Sequence, residues 1–159
     1  MDYKAIVLEN IICKGYELDY FLANGWYRYG SRIFTQFYEK NEEDKLCELF
    51  WLRYDVKKIN LSKSSNNILR INRGFDYTIK PFELTEELES LHTIYRGQLT
   101  FNTSETLRVL LEDVNNEIFD TYLIEVRDGV KLIAAGIFDV GLNSIAGIKN
   151  FFDPGYKKY

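Results

Sequence analysis

The stretch TYLIEVRDGVKLIAAGIFDV, residues 121–140, constrains the fold more than any other. Two apolar, β-branched runs flank Asp128-Gly129, a strong two-residue turn signal, so the segment predicts a β-hairpin. A third run, SIAGIKNFF, returns after a turn at Gly141 to Asn143. Consecutive antiparallel strands with one apolar face need a second layer to cover it. The rest of the chain must supply that layer.

TEELESLHTIYRG, 85–97, predicts a helix. Thr85 is its cap, Glu86 and Glu87 sit at the positive end of the dipole, and Leu88, Leu91 and Tyr95 form the core stripe. His92, the only histidine, lies beside that stripe and reads as structural. A second helix is expected at about 104–112 behind a Thr103 or Ser104 cap, burying Leu107, Leu110 and Leu111. FDYTIKPFEL, 75–84, reads as a strand that stops near Pro81. Upstream, GYELDYFLAN, 15–24, is a short helix with Leu18, Phe21 and Leu22 on one face and Gly25 as its stop. Residues 26–56 hold two or three strands, with a turn at Gly30-Ser31 and a hairpin loop at 41–44. The stretch 45–56 alternates with large apolar groups on both sides, which predicts a central strand. Ser62 or Ser64 caps a helix running to about Asn72, with Ile68, Leu69 and Ile71 as its buried side and Gly74 as its stop. The sum is an α+β domain, a largely antiparallel sheet flanked by helices. An N-terminal region, 1–60, precedes the core, 61–159.

The 159 residues suffice for one domain with a core of its own. A formal net charge of -4 means that the bulk field does not attract nucleic acid, so any polyanion must be held by a local patch. Two cysteines, Cys13 and Cys47, make no disulfide framework, which points to the cytoplasm by default. No apolar run approaches a membrane span, and MDYKAIVLEN carries no signal-peptide pattern. With one histidine and no serine elbow, a hydrolase triad has no support.

One local patch exists. Residues 56–75 contain no acid and carry Lys57, Lys58, Lys63, Arg70 and Arg73. Inside it, SKSSNNILRINR adds hydroxyl groups and the free N–H groups of a helix start, which suit an anion. Such a patch suits phosphate or an acidic partner. The plain alternative is a solvated helix face with a serine cap.

Three blocks resemble the aminoacyl-tRNA–protein transferases of the N-degron pathway, the arginyl-transferases and their bacterial leucyl-transferase relatives. GWYRYGSRIF, 25–34, is similar to the family's glycine–aromatic–x–Arg–x–Gly segment. SKSSNNILRIN, 62–72, is similar to its Ser-basic-Ser-Gln-Arg-Arg-x-Leu-basic-x-Asn. LIAAGIFDVGLNSIAGIKNFFDP, 132–154, is similar to its strand–Asp–turn–Ser–strand–Asp-Pro block. The resemblance implies an acetyltransferase-like (GNAT) core that moves an amino acid from charged tRNA onto the α-amine of a protein or peptide N-terminus, with acidic N-termini the expected substrates. It implies no cofactor. Asp139 matches the family's strand-end acid and is the expected base or amine-orienting group; otherwise it starts the turn before Gly141. Asp153, before Pro154, is a turn opening or a positioning group. Trp26, Tyr27 and Arg28 are expected to line a pocket for a terminal adenosine or a peptide, with strand packing as the alternative for Trp26. Arg28 is harder to assign to packing, because it matches the family motif and has no need to be buried. Ser62, Lys63, Ser64 and Arg70 are the expected anion-binding group, and Tyr16 and Cys13 belong to an N-degron pocket by analogy. Cys13 otherwise reads as a small apolar residue.

The chain departs from the family pattern in three places. Ser65, Asn66 and Asn67 stand where the family has Gln-Arg-Arg, which weakens the basic patch. Cys13 stands alone where many relatives have a cysteine cluster, and Cys47 is poorly spaced for it, so no metal is expected. Relatives continue past Asp-Pro-x-Tyr into further helix and strands, whereas Tyr159 is the last residue here, so a C-terminally truncated form of the fold is expected. A non-catalytic module that binds peptide N-termini is one alternative. An acetyl-CoA-dependent acetyltransferase is the other, although no glycine-rich pyrophosphate loop follows the last strand. In the transferase reading, the 62–70 region and Asp139 should border one concave pocket.

Overall fold

The computed structural model describes residues 5–41, 43–101, 103–113 and 115–156. The elements are β1 (Ile6–Leu8), α1 (Gly15–Ala23), β2 (Tyr27–Tyr29), β3 (Arg32–Thr35), β4 (Tyr38–Lys40), β5 (Leu46–Glu48), α2 (Lys63–Ile71), β6 (Asp76–Pro81), α3 (Glu86–Arg96), α4 (Leu107–Leu111), β7 (Thr121–Asp128), β8 (Lys131–Val140) and β9 (Ile145–Phe152). Glu42 of the expected 41–44 loop, the first four residues of the N-terminal reading, and residues 157–159 lie outside the described residues.

The architecture is α+β with antiparallel sheets. β6, β7, β8 and β9 form a four-stranded sheet in chain order. The hairpin exists, but its turn sits one residue later than Asp128-Gly129. Asp128 pairs with Lys131, so Gly129 and Val130 are the central residues. Gly129 takes φ +58°, the left-handed value that a type II′ turn needs at its first central position. A one-residue bulge between Val126 and Arg127 then shifts the register again.

One face of this sheet is covered by α3 and α4. Leu88 and Leu91 of α3 and Leu107 and Leu111 of α4 pack with Leu123, Ala135, Ile137 and Phe151; Tyr95 joins at the edge, half-buried. Thr85 caps α3 by accepting from the Leu88 N–H at 3.3 Å. The next helix is shorter than the spacing predicts and is capped by Thr106, not Thr103 or Ser104. The Glu89 carboxylate adds a second cap, accepting from the Leu107 and Arg108 N–H groups. The Thr103 hydroxyl instead receives the Lys149 ammonium at 3.3 Å.

A smaller antiparallel sheet, in the order β1-β3-β2, packs with α1 around Cys13, Leu18, Ile33 and Phe119. The expected central strand over 45–56 does not form. Only Leu46–Glu48 pairs, with β4, and nothing covers either side of it. The alternating apolar residues of this stretch are exposed except Leu49, which is half-buried, and Trp51 folds back to stack on Tyr27. Helix α2 begins at its Ser62 cap as expected, but Ile68, Leu69 and Ile71 are exposed rather than buried. Gly74 closes a 3-10 turn that continues the helix.

His92 is fully buried, edge-on to Phe151 at 5.4 Å, and neither ring nitrogen has a hydrogen-bond partner among the described residues. Burial, helped by Lys149, pushes its pKa below the usual value, with Glu89 opposing and Arg96 adding to the depression. The unfolded chain therefore takes up a proton at His92 before the folded one does. Stability falls as pH drops through the unfolded histidine range, by at most about 1.4 kcal/mol per pH unit. Urea titrations at pH 7.0 and 5.5 should show this loss in the native protein. A His92→Phe variant that keeps the same slope would refute the assignment.

Candidate functional site

The strand Tyr27–Tyr29 buries its middle residue, so the Arg28 side chain points inward. Left-handed glycines stand beside both ends of this strand, Gly25 at φ +77° and Gly30 at φ +61°. A Cβ at Gly30 would also lie 2.6 Å from the Glu112 carboxylate and displace it from its place beside the turn. That carboxylate accepts from the Ser31 N–H and hydroxyl, and these bonds hold its pKa below the usual range.

The guanidinium of Arg28 meets four parts of the chain. Its Nε donates to the Gly30 carbonyl at 2.7 Å, and Nη2 donates to the Leu111 carbonyl at the end of α4 at 2.8 Å. Nη1 donates to the Thr121 hydroxyl at 3.0 Å and to Asp139 Oδ1 at 2.8 Å. The plane lies 4.3 Å over the Phe119 ring, a cation–π contact. The Thr121 hydroxyl also donates to Asp139 Oδ1 at 2.8 Å. Arg28 is therefore buried, although the sequence alone does not require it. A planar fork with five donors is held by backbone and carboxylate acceptors that only the folded chain assembles.

Asp139 is 0% exposed. Burial drives its pKa above the usual carboxylate value, and Arg28 and Thr121 pull it back only in part. It is the penultimate residue of β8, opposite Thr121, at the strand end as expected but enclosed there. This corrects its expected place as an accessible base: no substrate amine reaches it in this conformation. Cys13 lies in the same interior, and burial, with a contribution from the Asp139 charge, pushes its thiol up to about 12. Tyr16, in contrast, is exposed, so Cys13 and Tyr16 do not line one pocket.

The remaining expected site residues divide between packing and surface. Trp26 is half-buried, edge-on to Phe21 at 5.5 Å. Tyr27 stacks on Trp51 at 5.4 Å and donates its hydroxyl to the Gly147 carbonyl. Asp153 opens the turn, accepting from the Gly155 N–H at 2.8 Å and pairing with Lys131 at 2.6 Å, which lowers its pKa. Ser62, Lys63, Ser64 and Arg70 are all exposed on α2. There the Ser62 hydroxyl accepts from the Ser65 N–H, and Arg70 donates to Asn67. The expected concave pocket shared by 62–70 and Asp139 is not formed, because Asp139 is enclosed on every side. A cleft lined by Phe82, Glu83, Leu84, Arg108, Asn115 and Asn116 includes none of these residues.

Sequence reasoning missed Asp19. Its carboxylate, on α1, accepts from the Asn143 N–H at 2.8 Å and from the Ser144 hydroxyl. Partial desolvation opposes its ionisation, but the bonds from Ser144 and Asn143 outweigh it and lower the pKa. Gly141 is glycine for the same reason: a Cβ there would collide with Asp19. The serine of the third block is thus a latch for α1. Thr121 was missed as well, since the turn position and bulge that set it opposite Asp139 are not visible in the residues.

Removing one partner of a buried ion pair leaves the other charge unpaired, at a cost of about 3–5 kcal/mol. Arg28→Met should lose stability on this scale in urea denaturation, and Arg28→Met with Asp139→Leu should lose less than the two single changes summed. Strict additivity would show that the pair does not interact. Native protein at pH 8 should titrate one thiol, Cys47, and denatured protein two; rapid reaction of both in the native state would contradict the burial of Cys13. Among the described residues no three His, Cys, Asp or Glu side chains gather as a metal site, and no helix is long and apolar enough to cross a membrane. No family model and no curated protein matches the chain.

Proposed function

We propose that the protein transfers an amino acid from aminoacyl-tRNA to the N-terminal α-amine of another protein, in an acetyltransferase-like core. The observation that carries this reading is the Arg28–Asp139 pair. It joins the first and third blocks of the family resemblance across 111 residues of sequence. Residues that share no local reason to occur together thus belong to one structural unit. The sheet β6-β7-β8-β9, four antiparallel strands in chain order with α3 and α4 on one face, agrees with such a core.

In this reading Arg28 and Asp139 are positioning residues, not catalytic ones. They fix β2, and with it Trp26 and Tyr27, against β7 and β8. The second block supplies the cations: Lys63 and Arg70 stand exposed on α2 with the hydroxyls of Ser62 and Ser64 beside them. They suit tRNA phosphate, with salt-dependent binding by counterion release. The chemistry itself needs little. The amine nitrogen attacks the aminoacyl carbonyl, a C–N bond forms, the ester C–O bond breaks, and the departing ribose oxygen takes the proton that the amine loses. Placement of an unprotonated amine supplies much of the rate. A free α-amine has a pKa of about 7.7–8.0, so the rate should rise with pH between 7 and 8.5.

A second reading, a non-catalytic module that binds peptide N-termini, is favoured by the full enclosure of Asp139, which leaves no base among the expected residues. One experiment separates them. Labelled arginine or leucine on tRNA is offered to peptides that begin with Asp or Glu. Transfer is expected, falling about tenfold or more in Lys63→Glu, Arg70→Glu protein whose denaturation curve is unchanged. Peptide binding without transfer at any pH from 7 to 8.5 would replace the transferase reading with the module, and turnover of acetyl-CoA would replace both.

A further inference from the structure

Among the described residues the strand β6 has one hydrogen-bonded neighbour, β7, and its other edge is open. The ladder shows which groups lie on that edge. Phe82 donates its N–H to the Thr121 carbonyl at 2.9 Å, so Phe82 is a hydrogen-bonded position against β7. Hydrogen-bonded and non-bonded positions alternate along an antiparallel pair. Lys80, Thr78 and Asp76 therefore direct their N–H and C=O groups at β7, while Tyr77 and Ile79 direct theirs outward. The open segment is bounded at both ends: the Phe75 N–H is already given to the Asn72 carbonyl, and Pro81 has no N–H to offer.

We infer that this edge pairs with the same edge of a second copy of the chain, antiparallel and centred on Thr78, joining two four-stranded sheets into one of eight strands. The register is self-complementary. Tyr77 faces Ile79 of the other copy, so the two residues with outward backbone groups form the hydrogen-bonded pairs, twice by symmetry. Asp76 faces Lys80 of the other copy across the non-bonded positions where side chains approach most closely, so its carboxylate joins the ion pair that Lys80 already makes with Glu125 of its own β7 at 2.9 Å. Thr78 faces itself on the two-fold axis.

The side chains add a reason for the edge to be covered. Tyr77 is 70% and Ile79 58% exposed, both on the sheet face away from α3 and α4. They adjoin Ile124 and Val126 of β7 in the same rows. A flat edge strand with large apolar residues invites pairing, and chains that stay apart place lysine, proline or a bulge there. Here the proline lies at the end of the open segment, Lys80 is turned back onto Glu125 of β7 at 2.9 Å, and the bulge is between β7 and β8 rather than in β6. A tyrosine–isoleucine pair on each side of the axis is the aromatic–β-branched combination that stabilises cross-strand contacts.

Sedimentation velocity on the whole chain from about 1 to 100 µM should show a concentration-dependent dimer. Thr78→Lys puts like charges face to face on the axis at an exposed position and should weaken association at least tenfold while leaving the denaturation midpoint nearly unchanged. The register is tested in a Cys47→Ser background with oxidised glutathione as oxidant. Thr78→Cys should give a disulfide-linked dimer, because the two positions face each other; Asp76→Cys should not, because its copies lie about four residues, or roughly 13 Å, apart along the strands. A monomer throughout the range, a dimer indifferent to Thr78→Lys, or cross-linking at position 76 instead of 78 would each overturn the proposal.

Discussion

The guanidinium of Arg28 is the constraint on which the rest of the structure turns. A buried cation is tolerated only when every donor finds an acceptor and a counter-charge is close. Here the acceptors come from the β2–β3 turn, the end of α4, β7 and β8. None of these can move without leaving a charge unsatisfied in the interior. A buried pair of this kind adds little net stability over an apolar substitute of equal volume. What it contributes is choice among arrangements: it specifies one seating of the small N-terminal sheet against the large one. The apolar clusters around Leu18 and Ile33 on one side, and Leu123 and Ile137 on the other, are less particular about where they meet.

Much of the large sheet was legible. Thr85 with acids behind it, leucines at helical spacing, and three β-rich runs separated by glycine turns give α3 and β7–β9 by local chemistry alone. The pairing that matters was not legible. A turn centred on Asp128-Gly129 would set Thr121 opposite Gly136; the turn at Gly129-Val130 and the bulge at Val126 set it opposite Asp139. Because side chains alternate between faces, such shifts decide which residues share the interior. Arg28 shows the same limit, since its burial follows from acceptors at residues 30, 111, 121 and 139, all but one remote in sequence. The stretch 45–56 failed for the opposite reason. Its alternation was genuine, but alternation states only that a strand would have two apolar faces, not that anything lies against them.

The family-like blocks consequently have a double character. Arg28 and Asp139 read in sequence as groups awaiting a substrate, and Ser144 belongs to the third block. In the fold they are consumed by one another, by Thr121 and by Asp19. Residues of the first and third blocks therefore serve here to assemble a scaffold, and the expected site groups left facing solvent are Tyr16 and those at α2, a helix with no buried residue. The result is a division between a packed frame, in which Asp139 keeps one buried oxygen without a hydrogen-bond partner among the described residues, and an exposed cationic element.

The Asp19 latch carries a consequence for biogenesis. It ties the first helix to Asn143 and Ser144, contacts separated by 124 and 125 residues. Arg28 waits in the same way for Asp139. During synthesis the segment that carries Asp19 and Arg28 therefore leaves the ribosome without these docking partners until residues 139–144 have emerged. At roughly 5–20 residues per second, that interval lasts several seconds or more. Until β8 and the turn behind it appear, the apolar side chains of α1 and β2 have only each other to pack against, which makes this delay the interval in which misassociation is easiest.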